Sequence, residues 1–183
     1  MRNSGHTTPT PMRRVSHSAA RGRSFLFAGF LAAAFLFGPT TAFADEESWR
    51  LARQGKLAFV AFSCATLARH MGDDTKAKTA FNVGVESARE FVEAIRSNRV
   101  LGSDLRSQVP LLVMRSLRGP STDFIVGRIF QVSSDYQDDY INEQVKMLAA
   151  SGDFNAKKAA GQQAATLRYM QADCRRFEHR TVN

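Results

Sequence analysis

From residue 46 onward, apolar residues return every three or four positions, the period of a helix with one face in a core. Over 46–70 that row contains Leu51, Leu57, Val60, Ala61, Cys64, Leu67 and Ala68. Asp45, Glu46 and Glu47 suit the start of this helix through the macrodipole, with Ser48 able to cap it. Trp49, one turn before Arg53, is expected at the end of the bundle. Met71-Gly72-Asp73-Asp74 ends the helix: Gly72 suits a left-handed C-terminal position, and Asp73 or Asp74 can cap the second helix. Over 75–97, Phe81, Val85, Ala88, Val92 and Ile95 alternate steps of four and three. Beside them Ala80, Gly84 and Ala88 form a row of small residues that lets a neighbour come close. The two segments predict an antiparallel hairpin.

Residues 103–132 hold the densest apolar runs, and the sequence places the centre of the core there. Leu105, Val109, Leu112, Met114 and Leu117 precede Gly119-Pro120, while Phe124, Ile125, Ile129, Phe130 and Val132 come after it. Ser107 is expected to cap a helix that carries Pro110 in its first turn, where a missing N–H does no harm, and that ends at Gly119. Ser121, Thr122 or Asp123 then caps a helix reaching 132–135. Residues 133–143 are polar and acidic and read as a break. Ile141, Val145 and Leu148 predict a shorter helix to Ser151-Gly152. Asp153 caps a last helix over 155–177, with Ala160, Ala164, Leu167, Met170, Cys174 and Phe177 inward. No stretch alternates like a strand. The expected fold is therefore all-α, a single-domain bundle of about five to six helices over 45–177, with 178–183 a flexible tail.

Residues 1–44 read as a secretory leader. Arg2, Arg13, Arg14, Arg21 and Arg23 are its basic region, and 25–37 its apolar run. Gly38-Pro39 breaks that run, and Ala42-Phe43-Ala44 offers small residues at the positions a signal peptidase reads. Cleavage is expected near Ala44. The apolar run falls short of the ~20 residues that span a bilayer, so membrane attachment is expected only through an uncleaved leader. Met12 is a second candidate start.

The leader also changes the charge. The formal +8 comes from 25 Lys and Arg against 17 Asp and Glu; with the leader's five arginines removed, 20 face 17, or +3. That balance is below what nucleic-acid binding calls for. Cys64 and Cys174 are the two cysteines, and export meets an oxidising compartment. They form either one bridge or two separate buried thiols. The bridge is the expectation, since each sits on the apolar face of its helix, and it would close a loop of roughly 110 residues, worth ~4–5 kcal/mol in the chain-entropy treatment.

Candidate chemistry is sparse. Outside the leader the histidines are His70 and His179, with no metal-ligand spacing, so neither metal nor cofactor is expected. Asp135, Asp138, Asp139 and Glu143 lack the order of a calcium loop and read as a solvated acidic face. Glu86, Glu90 and Glu93 share a helix whose polar side is expected in water. No Gly-x-Ser-x-Gly or phosphate loop occurs. Tyr136 and Tyr140 read either as a partner surface or as half-buried aromatics. The remaining cluster is Arg115, Arg118, Ser121, Asp123 and Arg128. It reads either as an anion site at a helix start or as a corner held by a cap and an Asp–Arg pair.

Gly119-Pro120-Ser121-Thr122-Asp123-Phe124-Ile125 and Gly127-Arg128-Ile129-Phe130, with Phe81, Gly84 and Phe91, resemble a segment of small exported helical proteins of proteobacteria. The resemblance implies an exported all-α protein and transfers no functional residue. The spacing of Ala65, Ala77, Phe81 and Gly84 also resembles one tetratricopeptide unit, but no second copy occurs downstream. Together these readings point to a periplasmic or secreted binding protein without catalysis. Its expected partner is another envelope protein, as for an inhibitor or immunity-like protein. The competing expectation is a small enzyme or ligand carrier, working at the Arg118–Asp123–Arg128 corner or in a cleft between helices.

Overall fold

A computed structural model describes residues 40–149 and 151–178. The leader up to Pro39 and the tail from His179 lie outside the described residues. Six α-helices succeed one another: α1 (Thr40–Met71), α2 (Asp74–Arg96), α3 (Gly102–Gln108), α4 (Leu111–Ser116), α5 (Thr122–Ala149) and α6 (Phe154–Gln171). A short 3-10 turn, Cys174–Phe177, closes the described chain. No strand occurs among the described residues, so the fold is the expected all-α bundle.

α1 is the hub, in place of the 103–132 stretch. Every residue from Ala61 to Ala68 is buried, because α2, α5 and α6 each pack against a different side of it. By contrast Phe124, expected at the centre, is 50% exposed. α1 begins at Thr40, ahead of the anticipated start at Glu46. Ser48 is no cap: it is buried inside the helix, where its hydroxyl accepts the Leu101 N–H at 2.8 Å and donates to the Asp104 carboxylate.

The turn into α2 matches the sequence closely. Gly72 is left-handed at φ +81°, and the Asp73 carboxylate accepts the Lys76 N–H at 3.0 Å. Its face matches in part. Ala88 and Val92 of the expected stripe are buried, beside Ala80, Val83, Gly84, Ser87, Phe91 and Ala94, while Phe81 stands at the edge. The small residues decide the orientation, since a Cβ on Gly84 would lie 2.5 Å from the Phe62 ring. Phe62, Phe81 and Phe130 then close a three-ring cluster across α1, α2 and α5, with centroids 5.3–5.6 Å apart.

α3 and α4 cross the bundle end where Ser48 lies. Ser107 falls within α3, and Pro110 stands at the N-cap of α4, one position before the anticipated first turn. α4 ends at Ser116, short of Gly119. The largest departure is α5, which runs unbroken through 133–143. Its buried residues include Ile125, Ile129, Ser133, Gln137 and Ile141, one row in steps of four with polar members. Phe62–Phe130, Thr66–Ser134 and His70–Asp138 all pair at a separation of 68, so α1 and α5 run parallel. Thr66 and Ser134 share a buried hydrogen bond of 2.8 Å, and the Ser133 hydroxyl donates to the Ile129 carbonyl at 2.7 Å. Polar residues therefore sit inside because they satisfy one another and their own helix.

α6 starts as expected, with the Asp153 carboxylate accepting the Ala156 N–H at 2.9 Å. It ends at Gln171, and Asp173, left-handed at φ 54°, turns the chain into the 3-10 segment. Ala160, Ala164, Ala165 and Tyr169 are buried, whereas Leu167 and Met170 are exposed, a stripe rotated from the expected one. Cys64 and Cys174 are fully buried and joined by a disulfide, with Cα atoms 5.5 Å apart at a sequence separation of 110.

Candidate functional site

Of the anticipated corner, Ser121, Asp123 and Arg128 are each engaged in holding the fold. Ser121 Oγ accepts the Phe124 N–H at 3.2 Å, as a cap does. Arg128 donates to the Arg118 carbonyl at 2.9 Å. The Asp123 carboxylate accepts from Arg89 of α2 at 3.0 Å. Arg115 and Arg118 have exposed side chains. The five residues share an open surface.

The acidic face on α5 is likewise engaged. Asp138 meets His70 Nε2 at 2.6 Å, Asp135 accepts from Gln131 at 2.6 Å, and Glu143 pairs with Lys146 at 2.6 Å. Glu90 pairs with Arg50 across α1 and α2, again at 2.6 Å. No three metal-ligating side chains converge among the described residues.

A different place combines a cavity with unsatisfied polar groups. Between α1, α4, α5 and α6 lies a cavity of about 410 Å³, within the range of small-ligand sites. Its apolar wall comes from Phe59 and Val60 of α1, Leu112 of α4, and Ala172 after α6. The packing there divides: Val60 and Ala172 join the hydrophobic cluster around the disulfide, while Phe59 joins the one beneath α4. The cavity lies at the seam between two cores.

Three polar side chains also line it: Ser63, Gln137 and Arg168. Ser63 and Gln137 are each only 3% exposed. Ser63 Oγ, Gln137 Oε1 and Arg168 Nε are shut off from solvent and find no hydrogen-bond partner among the described residues. These are the only three such side-chain atoms among those residues, and all belong to the lining of one cavity. Compared with known families, curated proteins and solved structures, the chain matches none. Function therefore has to be read from the cavity itself.

An unpartnered buried polar atom costs roughly 1–3 kcal/mol, more when it carries charge. Arg168 is charged at any relevant pH. Its guanidinium lies over the Tyr140 ring, 4.9 Å from the centroid, and no described carboxylate pairs with it. Tyr136, half exposed on the rim, packs its ring 5.9 Å from that of Phe59. Of the two tyrosines, Tyr136 is exposed and Tyr140 is half-buried.

Sequence reasoning missed Ser63, Gln137 and Arg168, yet each leaves a signal. Each interrupts an apolar row in steps of four: Phe59-Ser63-Leu67, Ile129-Ser133-Gln137-Ile141 and Ala160-Ala164-Arg168-Ala172. Ser133 is satisfied by its own helix, whereas Ser63 Oγ, Gln137 Oε1 and Arg168 Nε have no partner among the described residues.

Proposed function

We propose that this chain is an exported binding protein without chemistry of its own, and that it holds a small molecule in the cavity between α1, α4, α5 and α6. The observation that carries this reading is a mainly apolar cavity of about 410 Å³ whose lining also includes Ser63, Gln137 and Arg168. A buried disulfide and the absence of any described helix long and apolar enough to cross a membrane are consistent with export through the leader. Titration with N-phenyl-1-naphthylamine, an uncharged fluorophore, tests the cavity. Saturable, blue-shifted emission is expected from the native chain, and Ala172→Phe, which fills the cavity, should abolish it. Equal binding by both forms would remove the reading.

A protein partner in the envelope is the second reading. The observation favouring it is the trio of exposed apolar side chains Met147, Leu148 and Phe154 at the turn between α5 and α6, Phe154 being 78% exposed. This surface is separate from the cavity lining. A Phe154→Asp substitution should weaken a protein complex and leave the fluorophore titration unchanged.

A further inference from the structure

Resting on the cavity reading, we propose that the ligand is a small carboxylic acid with an apolar body, its carboxylate held by Arg168. Arg168, with no described carboxylate paired to it, is the one basic side chain in a lining that also holds Phe59, Val60, Leu112 and Ala172. A neutral hydrocarbon would fill the wall and leave the cation unpaired. A strongly polar anion such as phosphate would meet the cation and leave the apolar wall unmatched. A carboxylate on an apolar body satisfies both demands.

Arg168 makes one further contact. The Tyr140 ring lies beside its guanidinium, 4.9 Å from ring centroid to Cζ. A guanidinium can present two N–H groups side by side to the two oxygens of a carboxylate, which an ammonium cannot.

The test compares 3-phenylpropanoate with its uncharged amide, 3-phenylpropanamide, by calorimetric titration of the purified chain with its disulfide intact. The acid is expected to bind at least tenfold tighter than the amide and to raise the melting midpoint where the amide does not. In Arg168→Gln the two should bind alike, and Arg168→Lys, which keeps charge without the fork, should fall between. The comparison on the unaltered protein needs no variant, so a folding defect in either substitution leaves the result intact. Equal binding of acid and amide would overturn the carboxylate assignment and leave the cavity standing. Binding of N-phenyl-1-naphthylamine with no response to either compound would do the same. If all three fail to bind, the cavity reading falls with it.

Discussion

Ser63, Gln137 and Arg168 interrupt apolar helical rows, and Ser63 Oγ, Gln137 Oε1 and Arg168 Nε have no hydrogen-bond partner among the described residues. A chain selected for stability alone would replace them. Ser63→Ala and Gln137→Leu are accordingly expected to raise the unfolding free energy by about 1 kcal/mol each, read from urea midpoints at constant slope. Both should weaken ligand binding. Loss of stability in both variants would show that these groups have partners in solution and would undercut the site. Tyr169 makes a separate prediction. Burial, then the negative charge of Glu178, pushes its phenol up to about 12 from an ordinary 10.0. An unfolded tyrosine ionises near 10 while the folded one keeps its proton, so this group's contribution is whole below pH 10 and drains away between 10 and about 12. Absorbance near 295 nm should show one of the three tyrosines titrating late, and Tyr169→Phe should delete that step. At this scale the caps Asp73, Ser121 and Asp153 were legible, because they act through their immediate neighbours, while Ser48 and Ser107 lie inside helices instead of capping them. The places of Ser63, Gln137 and Arg168 were not, because they depend on what the other helices bring opposite them.

Among the elements, the α1–α2 hairpin could be read from spacing and the course of α5 could not. The reason lies in composition. Along α5 the buried row passes from Ile129 through Ser133 and Gln137 to Ile141, and a reading that equates inside with apolar stops at the first serine. The parallel alignment of α1 and α5 explains why serine is tolerated there, since Thr66 faces Ser134 and each satisfies the other. For α2 the small residues outweigh the large: Gly84 seats the Phe62 ring, and this turns Phe81 to the edge. Gly84→Ala should therefore destabilise by about 1–3 kcal/mol, although alanine is the better helix former. A calorimetric midpoint at or above that of the parent would mean that the ring can move aside, contrary to a close-packed interface.

For the molecule as a whole, the Cys64–Cys174 link ties the hub helix to the last described turn across 110 residues. Replacing both cysteines by alanine should cost ~4–5 kcal/mol by the chain-entropy treatment, and a melt in strong reductant should show a comparable loss. The pairing was legible because two cysteines permit one pairing. The position of the hub was not, since the fully buried stretch 61–68 is short and includes Ser63 and Thr66, whereas 103–132 displays its apolar residues in obvious runs.

That all-round burial of α1 has a consequence for biogenesis. The segment that needs the most company is made first, and α6, which covers its remaining side, is made last. Until then a greasy rod is left to find other greasy surfaces, which is the usual route to inclusion bodies. Chains halted before Phe154 should precipitate, and the hazard for this protein lies in the interval between the ribosome and its final helix.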